Sequence, residues 1–376
     1  TPAPRLRPPP PRDRGGEPRP PAQWTTLGRT APHALGRGIV TGALAYASDL
    51  RHEGALEGVV LRPPALRARL ASADASAAAS LKDVTVAREG DFLGVAAPTL
   101  RQARRAAALI RAEWRPEPDP PIDQLAAEWK RPATPPVEDF NPRYPPLVRK
   151  GDVEAALHAG ADRTLAAYWT PFIAHAALET RCAIAAWDGD QLTVHCGKQA
   201  PFLVRAEVAK ALGIPESRVR IISSVLGGGF GGKQRADAEI EAARLARAAG
   251  RPVRVHWTRE EEFRWSYARP AAYIEIESAL GAQGRITAWR HRNYNAGAPG
   301  LPPPYDFADH SNEFWRTPAP YRQGSYRALA STANNFARES HIDERAAAAR
   351  RDPVGYRLAH IADARRREAR ERRAAL

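Results

Sequence analysis

Runs of β-branched residues alternate along this chain with alanine-rich stretches that carry charge on one side, and glycine or proline separates them. Residues 218–225 include Val219, Ile221, Ile222 and Val225 and predict a strand. Residues 237–249 open on Asp237, Glu239 and Glu241 and continue through alanine and leucine, which predicts a helix; Gly250 closes it and Pro252 bars its continuation. Residues 251–257 then predict a second strand. Upstream, residues 201–212 predict a helix with Pro201 at its start and Gly213 at its end. Asp188-Gly189 reads as the turn of a hairpin with arms 182–187 and 191–196. Setting Trp187 opposite Asp190 puts Cys182 opposite His195 and Cys196 opposite Arg181, so the thiols face opposite sides and no disulfide is expected. Nearer the front, residues 91–97 predict a strand, and Thr99 with Gln102 forms a capping box opening a helix that runs to Trp114.

Between the strand at 218–225 and the helix at 237–249 lies Gly227-Gly-Gly-Phe-Gly-Gly-Lys233, five glycines in six positions before the lysine. Such a segment lets main-chain amides approach a ligand and reach positive φ, at a cost of roughly 0.5–1 kcal/mol per glycine. A helix N-terminus downstream adds positive potential. Several chemistries use this arrangement. Gly227, Gly229 and Gly232 satisfy the dinucleotide pattern GxGxxG, with Glu260 somewhat beyond the spacing of a ribose-binding acid. Residues 227–233 also satisfy GxxxxGK, but Gln234 stands where a phosphate loop needs a Ser or Thr for magnesium. A close-packed glycine turn without a ligand is the structural alternative.

Longer segments narrow the choice. Gly227-Gly-Gly-Phe-Gly-Gly-Lys233 resembles the cofactor loop of the molybdenum-binding large subunits of the xanthine dehydrogenase and aldehyde oxidase family. His195-Cys-Gly-Lys-Gln-Ala-Pro-Phe202 resembles the segment whose glutamine contacts an oxygen ligand of molybdenum. Gly324-Ser-Tyr-Arg-Ala328 resembles the family's arginine segment, and residues 336–344 and 352–358 resemble the helix after it. Residues 40–49 and 58–64 resemble the start of the small domain preceding the cofactor domain, and Lys82-Asp-Val-Thr-Val86 is similar to the isoquinoline 1-oxidoreductase and nicotinate dehydrogenase type.

The resemblance implies an α+β fold: a small α/β hammerhead domain followed by the first part of a molybdopterin-binding domain. The expected organisation is a Pro/Arg-rich disordered segment at 1–35, the hammerhead domain at 36–115, a Pro-rich linker at 116–150, the cofactor domain at 151–363 and a basic tail at 364–376. It implies a molybdenum–molybdopterin cofactor, with the cytosine dinucleotide among its candidate forms, and 2Fe-2S clusters on a small partner subunit. The implied reaction is oxidation of an aldehyde or nitrogen heteroaromatic C–H, with water supplying the oxygen. The side chain of Gln199 and the backbone amides of Phe230 and Arg327 would contact molybdenum's oxygen ligands, while Gly228, Gly229 and Gly231 shape the cradle. The Arg327 guanidinium would orient a substrate carbonyl or carboxylate. Bland roles compete: Gln199 as a cap of the helix at Pro201, Phe230 as a core anchor, Arg327 as a surface cation.

Departures from the family pattern matter as well. Gln234 stands where purine-hydroxylating members carry a glutamate, so it is a candidate substrate contact and purine specificity is not expected. The family's general base, a glutamate in a Gly-x-Gly-Glu segment far downstream, has no counterpart here. The expectation is therefore an incomplete large subunit, inactive alone, with a nucleotide-binding module or a non-catalytic remnant as the alternatives.

Composition changes the picture only at its margins. The 376 residues suit two or three domains, and no apolar run is long enough to cross a bilayer. Net charge is +14, yet the arginines are scattered and no nucleic-acid motif occurs, so no nucleic-acid partner is expected; an acidic partner subunit explains a basic face equally well. Two cysteines cannot build an iron–sulfur cluster, which needs four ligands. The chain starts at Thr1 and has no Met, which raises the expectation of a missing N-terminal signal and leaves the compartment open between bacterial cytoplasm and periplasm. His175 and Glu179, four residues apart, lack zinc spacing and are expected to form a structural hydrogen-bonded pair beside the site.

Overall fold

The computed structural model describes residues 19–118, 121–131, 134–135 and 143–374. Two compact units divide the chain at Ala45/Tyr46. In the first, residues 19–45 carry a 3-10 turn at Pro21–Gln23 and one short helix, α1 (Gly36–Val40), and bury no side chain. Residues 1–18 of the expected disordered segment lie outside the described residues.

The second unit runs in chain order through β1 (Leu56–Val60), β2 (Arg69–Asp74), α2 (Ser76–Ala79), β3 (Thr85–Glu89), β4 (Phe92–Ala97), α3 (Leu100–Ala108) and β5 (Arg111–Arg115). Next come α4 (Leu125–Lys130), β6 (Leu147–Lys150), α5 (Val153–Ala159), β7 (Ala161–Thr170), β8 (Cys182–Asp188), β9 (Gln191–Cys196), α6 (Pro201–Leu212), β10 (Val219–Ser223) and α7 (Ala238–Ala249). It ends with β11 (Val253–His256), α8 (Arg259–Trp265), β12 (Ala272–Leu280), β13 (Ile286–Tyr294), β14 (Asp309–Trp315), α9 (Ser331–Ala348), α10 (Pro353–Ala359) and α11 (Ala364–Ala374).

One seven-stranded mixed sheet has the order β10-β9-β8-β11-β1-β4-β3, and a five-stranded sheet has the order β6-β14-β13-β12-β7. The pair β2-β5 stands apart. Because β1 runs parallel to β11, with Leu56 opposite Val253, hydrogen bonding joins residues on both sides of the expected 36–115 and 151–363 division. α7 covers the larger sheet with Ala238, Ala242, Ala243, Leu245 and Ala246, all buried, and α6 adds Val204, Val208, Ala209 and Leu212. The second core lies between the five-stranded sheet and α9, around Ile274, Ile276, Trp289 and Ile342.

Both predicted helices at the site form, and Gly213 and Gly250 close them at φ 66° and 61°. The hairpin forms with another register: Asp188 pairs with Gln191 and Ala183 with Cys196, so the turn is Gly189-Asp190 with glycine first, at φ 56°. The shift is an even number of positions, so Cys182 and Cys196 still face opposite sides; both are free and buried. The helix opened by Thr99 stops at Ala108 instead of Trp114. Residues 111–115 pair with β2, Trp114 opposite Leu70, and alternate between exposed and half-buried, so ladder pairing overrides the alanine-rich propensity.

The 116–150 stretch is not a bare linker either. α4 buries Leu125 and Trp129 beside Ala271 and Tyr294, and Trp129 stacks on Trp169 at 5.6 Å. The end of the chain, through residue 374, is helical and laced by i,i+4 pairs such as Arg367–Glu371 at 3.1 Å.

Candidate functional site

The glycine segment leaves the end of the edge strand β10 and curls beside the loop between β9 and α6, which parallel pairing of β9 with β10 holds nearby. Gln199 sits in that second loop. Its Oε1 accepts from the amides of Gly231 at 3.0 Å and Lys233 at 3.2 Å, and its own amide donates to Lys233 O at 3.0 Å. Gln199 therefore does not cap α6, whose N-cap Ala200 has no side-chain cap. Gln199 is exposed, and with Oε1 committed to the loop its Nε2 is a donor without a protein partner among the described residues.

Beneath the loop, a second clamp holds its two ends. The Glu179 carboxylate accepts from Gly227 N at 2.8 Å, Ser48 N at 3.0 Å and Lys233 Nζ at 2.7 Å, while its amide donates to Gly227 O at 3.1 Å. Burial pushes this carboxyl up, but the Lys233 ammonium and the two amides outweigh burial and hold it below its ordinary value. Arg181, 2% exposed, donates to Gly232 O and pairs with Asp237 and Glu262. Tyr267 donates to Gly231 O and accepts from Gln234 N at 3.2 Å.

The loop's remaining bonds define what it offers. Gly232 N is satisfied internally by Gly229 O. The consecutive amides of Gly228, Gly229 and Phe230 have no acceptor among the described residues. Phe230 holds φ 51° although it is not glycine, and the residue is 45% exposed, so it is no core anchor. Backbone strain of this kind persists where surroundings enforce it. A Cβ on Gly229 would lie 2.6 Å from Gln199 Oε1, so only glycine lets the glutamine amide lie against the loop.

The arginine segment reaches the same place. A Cβ on Gly231 would lie 2.8 Å from the carbonyl carbon of Ser325 and 3.1 Å from Tyr326 Cα. Arg327, two residues further on, is exposed, and its guanidinium has no partner among the described residues. Ala328 and Leu329 follow at φ 66° and 54°, immediately before α9. Gln234 is half-buried just past the loop; its backbone is anchored on Tyr267 and its side chain has no described partner.

His175 and Glu179 are not a pair. They lie in the irregular segment between β7 and β8, where i,i+4 spacing brings no contact, and each serves a different neighbour: His175 Nε2 donates to Ser325 O at 2.7 Å, Glu179 holds Gly227 and Lys233. The clamp formed by Glu179, Lys233, Arg181 and Tyr267 was not legible from spacing.

The site does not fit a nucleotide. Phosphate sites of both glycine patterns use the N-terminus of the following helix, and here protein carboxylates occupy it: Ala236 N donates to Glu207 at 2.7 Å, Asp237 N to Glu239 at 3.1 Å, and Asp237 is buried between Arg181 and Arg322. Lys233, the lysine of GxxxxGK, is buried against Glu179. β10 and β11 are also separated in the sheet by β9 and β8, unlike adjacent strands of a dinucleotide-binding unit. A molybdopterin, by contrast, fits. Adjacent unpaired amides and an unpaired glutamine donor suit oxygen ligands, and no cluster of three His, Cys, Asp or Glu among the described residues could hold a metal directly.

Comparison with known proteins agrees. The family described as the molybdopterin cofactor-binding domain matches residues 138–360. A nicotinate dehydrogenase subunit of Pseudomonas putida is 33% identical over 379 residues, which cover 91% of this chain and 31% of that protein. The aldehyde oxidoreductase molybdenum-binding subunit PaoC of Escherichia coli is 32% identical over 278 residues, covering 70% of this chain and 36% of PaoC. The chain thus spans about a third of the length of these curated relatives. Quinoline 2-oxidoreductase from Pseudomonas putida 86 shares the fold with a TM-score of 0.74 at 22% identity, over 90% of this chain and 50% of that one. Aldehyde oxidoreductase from Desulfovibrio gigas does so with a TM-score of 0.75 at 18% identity, over 89% and 43%. The chain belongs to the molybdopterin cofactor-binding domain family.

Proposed function

We propose that this chain is the cofactor-gripping part of the large subunit of a molybdenum hydroxylase that oxidises an aldehyde or nitrogen heteroaromatic C–H, with water as the oxygen source. The observation that carries the reading is the row of three unpaired amides, Gly228 to Phe230, with the unpaired Nε2 of Gln199 on a side chain that lies against Gly229. Gln199 and Phe230 would hold molybdenum's oxygen ligands together with the Arg327 amide, and Gly228, Gly229 and Gly231 give the room. When bound, the molybdenum–pterin group supplies the two-electron oxidation, and a small 2Fe-2S subunit removes the electrons. The chain's own work is orientation and electrostatics: fixed donors need no reorganisation as charge develops. Gln234 would meet the substrate with a neutral amide, which suits a heteroaromatic nitrogen or carbonyl, and Arg327 would orient a substrate oxygen through its guanidinium. The general base is assigned to no residue of this chain. The cytosine dinucleotide form of the pterin and the division into a hammerhead domain at 36–115 and a cofactor domain at 151–363 belong to the same proposal.

Metal analysis tests it. The full-length protein, made with its partner in a host that synthesises molybdopterin, should carry molybdenum, and Gly229→Val should abolish it. Absence of molybdenum together with saturable ATP or NAD binding that Gly229→Val removes would defeat the reading.

A further inference from the structure

We propose that His175 is a positioning residue that sets the glycine loop and the arginine segment at the separation their ligand requires, a role resting on the molybdopterin reading. The imidazole is 8% exposed in the segment between β7 and β8. On one side, Nε2 lies 2.7 Å from Ser325 O. On the other, a Cβ on Gly232 would stand 2.6 Å from the ring's Cγ. One ring therefore spans both ligand-facing segments, and the rings of Tyr326 and Tyr267 confine it at 5.1 and 5.4 Å.

The neighbours also settle the tautomer. A carbonyl oxygen can only accept, so Nε2 carries the proton, and Nδ1, buried and outside hydrogen-bonding geometry, is the bare nitrogen. Burial pushes the ring's pKa down further than the Ser325 and Tyr267 backbones raise it, which keeps it neutral. The Nε2 bond fixes the Ser325 carbonyl, whose oxygen and carbon are the atoms nearest to where a Cβ on Gly231 would stand. The spacing between the Phe230 and Arg327 amides thus runs through His175. A ring that donates to one segment and packs against the other acts by orientation and without touching the ligand, as the hydrogen-bond partners behind metal ligands do.

Two substitutions in the full-length protein with its partner subunit separate this role from packing. His175→Phe keeps a ring between the tyrosines but has no donor; His175→Gln keeps a donor amide near the Nε2 position. With the first, amide hydrogen exchange over residues 324–329 should quicken by about two- to tenfold, the worth of one hydrogen bond, and molybdenum per chain should fall about tenfold. With the second, both should stay near wild type. Should His175→Phe not fold, Gly232→Ala carries the same expectation, because it drives the imidazole off Ser325 from the loop side. Wild-type exchange and metal content in the donor-less variant, or equal defects in both histidine variants, would overturn the proposal. A wild-type protein without molybdenum defeats the molybdopterin reading instead, and the exchange comparison then decides the role of His175 alone.

Discussion

Alanine at Gly228 and at Gly231 makes a controlled comparison of how tightly the glycine loop and the arginine segment are apposed. The two glycines hold φ values of 94° and 99°, a region that costs an L side chain about 1–3 kcal/mol at either position. Space separates them. A Cβ at 228 meets Ala177 and the Phe230 ring at 3.4 Å, an ordinary contact, whereas one at 231 lies 2.8 Å from the Ser325 carbonyl carbon. That carbon belongs to backbone held by His175, so it cannot swing aside. Either the loop or the arginine segment must withdraw by at least roughly 0.6 Å to take the carbonyl carbon from 2.8 to 3.4 Å, and by more to clear the Ser325 oxygen, which lies nearer still. Withdrawal weakens the Gly231–Gln199 and His175–Ser325 bonds, each worth about 0.5–1.5 kcal/mol net, and overpacking adds about 1–3 kcal/mol. Gly231→Ala should therefore be less stable than Gly228→Ala by about 2–4 kcal/mol. Urea unfolding followed by tryptophan fluorescence, compared at a common slope, reads the difference. If the two variants unfold within about 0.5 kcal/mol of each other, the contact between loop and arginine segment is not as close as described.

Gln199→Glu retains an acceptor for the Gly231 and Lys233 amides but removes the unpaired donor, so it should fold like wild type and lose molybdenum, while Gln199→Leu should also lose about 1–3 kcal/mol per stranded amide; metal analysis beside urea unfolding distinguishes them, and a metal-replete Glu variant would refute the donor role. His291 and His341 are fully buried, and burial pushes both down to about 3. Below their ordinary pKa of about 6.5 the unfolded chain binds protons that the folded chain refuses, so stability should fall as pH drops from about 6.5 toward 3, by about 1.4 kcal/mol per pH unit for each ring. His291→Gln should remove one such share of the slope, and an unchanged slope between pH 6 and 4.5 would contradict the assignment. Burial pushes the Cys182 thiol up to about 11, and Cys196 higher still; a thiol reagent at neutral pH should find neither in the folded chain and both after denaturation, and fast labelling of either in the native state would refute their burial.

What the sequence discloses about this protein is mostly local. The glycine loop, the strand before it and the helix after it are readable because β-branched residues, leading acids and a terminal glycine act over a few positions. Gln199 is readable only through the resemblance, and its actual work, lending one carbonyl oxygen to two loop amides, depends on β9 lying beside β10. Long-range pairing accounts for the misreadings. Trp114 sits at the end of an alanine-rich run that favours helix, yet β2 claims it for a ladder. Trp129 lies in a proline-rich stretch, and its burial depends on Tyr294 and Ala271, more than a hundred residues away. His175 and Glu179 have helical spacing in a segment that is not a helix, so their partners, Ser325 and Lys233, could not be read from the interval between them.

The most direct test is diffraction from the cofactor-bound full-length protein at the molybdenum absorption edge. The account predicts one anomalous peak, with an oxygen ligand of that metal within about 3 Å of Gln199 Nε2 and of the Phe230 amide nitrogen. A peak elsewhere in the molecule, or a glycine loop whose three unpaired amides face only protein or solvent while the metal is bound, would contradict it.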